Sequence, residues 1–191
     1  MPFPSEHRGF DELAQRLQRL AAALDHLDPL LTQLADDLAQ LWQDNIDAGP
    51  NERWEAGPSY RAQALGGVTL RDSGQMKASI IGRQTSPSEI SVGSSLIVGD
   101  GWNLLAIHEF GADVRATTTP WLTFRYPLGS STPLAKPSAI TTDDLGWARK
   151  RAVHIPRRPT APFDWDRGEL TPEADQLVRS RINDYLMDLS Q

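Results

Sequence analysis

At 191 residues, with 39% hydrophobic and 23% charged side chains, the chain has the length and balance of a folded globular protein rather than a disordered one. It contains no cysteine, which excludes a disulfide framework and thiolate chemistry. A formal net charge of -6 argues against a protein whose main task is to neutralise a phosphate backbone.

The opening residues, Met1 to Phe10, lack a basic stretch followed by an apolar one, so no signal peptide is read there. No run reaches the roughly 20 apolar residues that a bilayer crossing needs. A soluble, cytosolic-type protein with no membrane contact is therefore expected. From Phe10 the apolar positions Phe10, Leu13, Leu17, Leu20, Leu24 and Leu27 step by three and four, the signature of one helix face. Asp28 and Pro29 read as a cap followed by proline at the first helical position, with a break or kink near Asp28. A second helix follows with Leu30, Leu31, Leu34, Leu38, Leu41 and Trp42 on its face, and Gly49-Pro50 ends it. The first stripe has two readings, packing within the chain and packing on a neighbouring protomer. The six tryptophans likewise divide between core filling and protomer contacts.

Residues 50–75 are punctuated by Gly, Pro, Asn and Ser, with Trp54 and Tyr60 as anchors in an irregular segment. Asp72-Ser73-Gly74 reads as a turn or helix start before Met76 to Ile80. Strands are expected from Ile80 to Arg83 and from Glu89 to Gly93, and Leu96 to Val98 forms a short apolar run. Trp102 to Phe110 suits a short helix stopped by Gly111. Thr117 to Leu128 is dense in β-formers, with Leu122, Phe124 and Tyr126 on one face, and 129–144 reads as a long polar loop. Trp147 to Ile155 returns as the partner strand of a long hairpin. Pro156, Pro159 and Pro162 then bar regular structure. A last helix opens at Thr171-Pro172, with Leu177, Val178, Ile182, Tyr185, Leu186 and Leu189 as its buried face.

The fold expected is α+β: a small antiparallel β-sheet with a long hairpin, packed against N-terminal and C-terminal helices. One domain spans residues 1–191, with helices over about 10–48, a β-rich core over about 76–158 and the last helix over about 171–189.

The search for chemistry returns little. His108-Glu109 resembles the start of a zinc helix, but the second histidine due at position 112 is replaced by Ala112. His7, His26 and His154 stand at no ligand spacing from it. Asp164 and Asp166 read as turn and surface residues, and Gly66-Gly67 belongs to no phosphate-binding loop. There is no Gly-x-Ser-x-Gly elbow. No catalytic residue, metal or cofactor is expected, and His108 is read as a structural hydrogen-bonding residue or one near a protomer contact. The basic cluster Arg149, Lys150, Arg151, Arg157 and Arg158 has two readings, a surface for phosphate or an acidic partner and a solvated hairpin edge.

Several segments, read in order, carry a resemblance. They are Trp54 after Asn51-Glu52-Arg53, then Leu70-Arg71-Asp72-Ser73-Gly74-Gln75-Met76-Lys77-Ala78-Ser79-Ile80 and Ser91-Val92-Gly93-Ser94. Ala106-Ile107-His108-Glu109-Phe110-Gly111 and Ile155-Pro156-Arg157-Arg158-Pro159 follow. Over about residues 30–190 the chain resembles the phage virion morphogenesis family, the tail completion proteins of contractile-tailed phages and prophages of the P2 and Mu type. Glu109 stands where that family usually has Gln and Arg157 where it usually has Ala. Thr160-Ala161-Pro162 precedes Phe163, where the family reaches an aromatic residue at once.

The resemblance implies a structural, non-enzymatic protein of the virion tail or neck, assembled in the host bacterial cytoplasm. Its implied partners are further copies of itself in a ring (a hexamer among the candidate sizes), tail tube or sheath proteins and head connector proteins. Such a ring would complete or terminate the tail and help join it to the head. Trp54, Leu70, Gly74, Met76, Ile80, Gly93, Ile107, His108, Phe110, Gly111, Pro156, Arg158 and Pro159 are then scaffold residues. Gly111 would act as a helix cap, and Arg158 would pair with a carboxylate or carbonyls. The alternative within this class is a head-side neck adaptor whose hairpin contacts DNA in the lumen without reading its sequence. A metal-dependent hydrolase built on His108 and Glu109 is the rival from another class, and a monomeric protein-binding module is the third reading.

Overall fold

A computed structural model describes residues 14–15, 17–19, 21–22, 26–55, 70, 74–98, 101–118, 120, 122–127 and 145–189. The architecture is α+β, with small antiparallel two-stranded sheets and helices towards both ends of the chain. The residues fall into two compact units, each assembled from separated stretches: 1–41, 81–93 and 162–191 in one, 42–80 and 94–161 in the other. Because neither unit is a continuous stretch, no linear boundary is visible in the sequence.

Residues 14–15, 17–19 and 21–22 are helical, and Leu17 there is exposed. Phe10, Leu13, Leu20 and Leu24 of the same apolar stripe lie outside the described residues, as do Tyr60 and the 129–144 segment. His26 and Leu27 interrupt the helical path, and α1 (Asp28–Ala48) begins at the Asp-Pro pair. It ends at Gly49, whose φ of 81° lies in the left-handed region that glycine reaches without strain.

In the first unit, Leu30, Leu34, Ala35, Leu38 and Ala39 form the buried stripe of α1, while Leu31 is only half-buried. Strands β1 (Ile80–Ser86) and β2 (Glu89–Ser94) pair as a hairpin around Pro87-Ser88. At Gly82 a β-carbon would come within 1.9 Å of the Ala35 carbonyl oxygen, so helix and strand approach backbone to backbone. Gln84 Nε2 donates to Asp28 Oδ1 at 2.7 Å, which ties the hairpin to the start of α1.

The last helix of that unit runs from Pro172 to Leu189, with the Thr171 hydroxyl accepting from the Ala174 amide at 3.4 Å. Arg181 grips the Asp37 carboxylate (Nε to Oδ2 2.5 Å, Nη2 to Oδ1 3.4 Å), and the Tyr185 hydroxyl donates to the His26 carbonyl at 3.0 Å. Its expected buried face is not buried. Ile182 and Leu186 are exposed, Leu177, Val178, Tyr185 and Leu189 are half-buried, and Ala174 alone among the described residues of the helix is fully enclosed. The helix is held at its cap and by polar side chains, a mode that apolar periodicity does not encode.

The second unit has Trp42, Ile46, Trp54, Met76, Ile80, Leu105 and Ala161 in its core. Its short helix α2 (Gln75–Ala78) starts at Gly74, where φ is 73°. Strand β3 (Ile97–Val98) pairs with β4 (Trp102–Asn103), and α3 (Leu104–Phe110) follows at once. Asn103 caps α3 by accepting from the Ala106 amide at 3.0 Å, and Gly111 closes it with φ 73°.

Beyond α3 the long hairpin is longer than its β-formers indicate. Strand β5 (Ala112–Arg115), absent from the expected elements, pairs with β8 (Ala152–Ile155) in the register Ala112↔Ile155 to Arg115↔Ala152. Strand β6 (Leu122–Pro127) pairs with β7 (Leu145–Lys150), from Leu122↔Lys150 to Pro127↔Leu145. Six residues, 116–121, thus stand on one side of the ladder break and Arg151 alone on the other. The expected strand from Thr117 is interrupted between the two ladders, where Pro120 offers no ladder donor.

The contact at Gly82 yields a direct test. Gly82→Ala should destabilise the protein by about 2 kcal/mol or more, since backbone must move to admit the methyl group. Gly93, whose β-carbon would meet nothing within 4 Å, should accept alanine with a change below about 0.5 kcal/mol. Urea unfolding of both variants measures the contrast, and equal effects would refute the close-approach argument.

Candidate functional site

The chain leaving β8 runs as irregular backbone through a buried environment: Arg158, Pro159, Thr160 and Ala161 are all enclosed. A buried segment outside any ladder must have its peptide groups satisfied by other means. Here side chains from several elements do so. The Arg157 backbone is held twice by Glu55: its amide donates to the Glu55 carboxylate at 2.8 Å, and its carbonyl accepts from the Glu55 amide at 3.1 Å. The Arg158 amide donates to the His108 carbonyl at 2.6 Å. The Pro159 carbonyl accepts from Asn51 Nδ2 at 3.1 Å and Trp54 Nε1 at 3.2 Å. Asn45 Nδ2 reaches the Thr160 carbonyl at 2.9 Å, and Arg53 Nη2 reaches that of Ala161, also at 2.9 Å.

Glu109 is the centre of this clamp. Near the end of α3, and only 2% exposed, it presents Oε1 to three donors: the Thr160 amide at 2.7 Å, the Thr160 hydroxyl at 2.8 Å and the Ala161 amide at 2.9 Å. The same hydroxyl accepts from Trp42 Nε1 at 3.0 Å, so a hydrogen-bonded chain runs from α1 through Thr160 to α3. Oε2 is buried and has no hydrogen-bond partner among the described residues. Burial raises the Glu109 pKa above the ordinary carboxylate value, against the opposing pull of the Thr160 and Ala161 bonds and the Arg53 charge.

His108, its neighbour, responds in the other direction. Burial, helped by the Arg158 charge, lowers its pKa to about 4, and its Nδ1 has no partner among the described residues. Arg158 departs from its expected role. Its Nε is buried without a hydrogen-bond partner among the described residues, and its guanidinium lies 6.0 Å from the Trp54 ring centroid, a cation–π arrangement in place of a carboxylate pair. Gly111 is favoured by its φ of 73° and stands in tight surroundings. A β-carbon there would meet the Ile155 carbonyl oxygen at 3.1 Å and Arg157 Cγ at 3.2 Å.

Of the residues singled out in the sequence, Trp54, His108, Gly111, Arg158 and Pro159 meet in this clamp. Ile107 and Pro156 are half-buried in the same two segments, and Phe110 points outward at 52% exposure. Met76 and Ile80 are buried nearby in sequence, where Gln43 Nε2 donates to the Ile80 carbonyl at 3.0 Å and Lys77 pairs with Asp47. Leu70 stands apart with φ 73°, and Gly93 belongs to the other unit. Glu109, Trp42, Asn45, Asn51, Arg53, Glu55 and Thr160 carry most of the bonds, and sequence reasoning assigned none of them this role. The one signal was the choice of Asn and Arg beside an amphipathic helix end, a position where turn residues are otherwise unremarkable.

A second, exposed group lies beside the clamp. His154 Nδ1 is 3.0 Å from Asp113 Oδ1, and its Nε2 is 3.7 Å from Glu55 Oε2. The Asp113 hydrogen bond, reinforced by both negative charges, raises the His154 pKa. Among the described residues no group of three or more His, Asp or Glu could hold a metal ion. The arrangement as a whole fixes the path of the chain between α3, the 51–55 segment and the hairpin. Comparison with known protein families, curated proteins and solved structures finds no match to this chain.

Three predictions rest on these groups. Glu109→Ala strands two buried amides and a hydroxyl and should cost about 3–5 kcal/mol in urea unfolding, whereas Glu109→Gln keeps an acceptor at Oε1 and should lose clearly less. Since the folded-state pKa of Glu109 is raised, its ionisation opposes folding. The stability of the native chain relative to Glu109→Gln should therefore fall as pH rises from the ordinary carboxylate value through the raised one, then level off. In a histidine-resolved NMR titration His108 should titrate near 4 and His154 above 6.5, with Asp113→Asn lowering His154 alone. A reversed order of the two histidines would contradict the assignment.

Proposed function

We propose that the protein is a structural component of phage tail assembly, a ring-forming subunit that completes or terminates the tail and helps join it to the head. One observation carries this reading. Two of the segments that carry the resemblance, Ala106–Gly111 and Ile155–Pro159, are direct partners: Arg158 bonds to His108, and Gly111 leaves room for Ile155 and Arg157. Their shared role is to brace the root of a long two-stranded arm. Oε1 of Glu109 is engaged by the chain's own Thr160 and Ala161 amides and the Thr160 hydroxyl, as befits a scaffold. The same unit exposes Ile97, Trp102, Phe110 and Val114, large apolar side chains of the kind that copies of a subunit cover in one another.

A ring built this way uses repeated heterologous contacts that close on themselves. One of its faces meets the last tube ring or the sheath, and the other meets the head connector; binding there stops further tube addition. The mechanism is geometric, with no cofactor or metal in it. A neck adaptor on the head side shares this logic, and the exposed cations of the arm are what favour it.

Light scattering over a concentration series, with salt varied, tests the ring. A discrete closed species, near six chains for a hexamer, is the expected result, and Trp102→Ser should shift it towards monomer without loss of fold by circular dichroism. A chain that stays monomeric both alone and with purified tail tubes would refute the proposal.

A further inference from the structure

The basic cluster of the sequence is redrawn by the fold. Arg158 leaves it for the interior, and Arg157 is engaged with Glu109, donating from Nε to its carbonyl at 3.3 Å. In their place Arg115 joins from β5, which the register sets opposite Ala152, one residue from Arg151. Arg115, Arg149 and Lys150 are exposed, and no carboxylate among the described residues pairs with any of them. They gather where the two ladders of the arm meet, with the exposed Thr117 and Thr118 in the surplus chain beside them. The Ala116 amide donates to the Arg151 carbonyl at 3.0 Å and holds the two sides together at that point.

We infer that this part of the arm binds the phosphate backbone of duplex DNA without reading its sequence. The inference deepens the assembly reading by giving the arm a ligand, and it rests on that reading only for its setting. Three features favour DNA over an acidic protein surface. Both ladders are two-stranded, and a two-stranded β-ribbon is a shape that the major groove, about 12 Å wide, admits. Strand alternation sends Arg149 and Lys150 to opposite faces of the ribbon. Cations on both faces match a groove walled by phosphates on both sides, whereas a flat acidic patch meets one face only. Guanidinium, ammonium and hydroxyl groups together are also the donor set that phosphate contacts draw on. A local surface of this kind is compatible with a chain of net charge -6, because beyond about 10 Å at 0.1 M salt the remaining charges are screened.

Fluorescence anisotropy with a labelled 30-base-pair duplex tests the inference on the full chain. Binding should be measurable at about 50 mM salt and fall with a log–log slope of about -3 or steeper, one counterion for each of the three cations. Arg149→Glu should weaken it about tenfold and flatten the slope, while Arg83→Glu, an equal charge change at an exposed site on β1, should change it less than about twofold. Duplexes of different sequence should bind alike. Absence of binding at low salt, or equal losses in the two variants, would overturn the inference. Tighter binding to polyglutamate than to the duplex would overturn it in favour of an acidic protein partner. Light scattering of the same samples keeps the two readings apart. A monomer that shows the expected salt and variant dependence upholds the DNA surface and removes the ring. A ring that ignores DNA does the reverse.

Discussion

One oxygen atom of Glu109 organises the unit that carries the clamp. A buried, irregular segment is an unfavourable object, since each peptide group loses water and gains no ladder partner. Between Arg157 and Ala161 the difficulty is met group by group. All four backbone N–H groups and four of the five carbonyls have partners, and Oε1 of Glu109 serves two of those amides together with the Thr160 hydroxyl. Proline at 159 lightens the task by removing a donor that would otherwise need an acceptor.

The clamp has consequences at both of its ends. On one side it roots the long arm: Gly111 lets α3 turn directly into β5, while Ile155 and Arg157 pass close against that glycine. On the other it joins α1 to α3 through Trp42 and Thr160, so a hydroxyl and an indole do work that apolar contact alone would leave unspecific in direction. The electrostatic cost is concentrated in a few side chains. Glu109 is pushed towards its protonated form, His108 towards its neutral one, and Arg158 is lowered by burial while it lies against Trp54.

The arm itself is a different kind of object. It is a two-stranded ribbon in two registers, split where a proline and surplus chain on one strand face a single residue on the other. A ribbon of this kind gains little from burial and is marginal alone in water, so its root matters more than its length. The assembly role proposed for the chain draws on this division between a braced base and a two-stranded element that carries exposed cations.

Much of the local structure was legible in the sequence because local physics sets it. The Asp28-Pro29 start and Gly49-Pro50 stop of α1, the cap at Thr171 and the stop at Gly111 each follow from dihedral and hydrogen-bond needs that a few residues satisfy among themselves. The stripe Leu30, Leu34, Leu38 and Trp42 is equally plain, since helical periodicity lies within the segment. The clamp was not legible. Its bonds join residues about fifty to more than a hundred positions apart, and a Glu after a His looks the same whether it ligates a metal or holds an amide. Gly82 was silent for the same reason, because its requirement is the Ala35 carbonyl, a group every residue possesses. The apolar face of the last helix shows the converse, a periodicity that promised burial where ion pairing and capping hold the helix. The sequence by itself determined where helices begin and end and which short runs extend. Only the tertiary structure decided which polar side chains are buried and what they bond to, because desolvation and long-range pairing exist only once distant segments have been brought together.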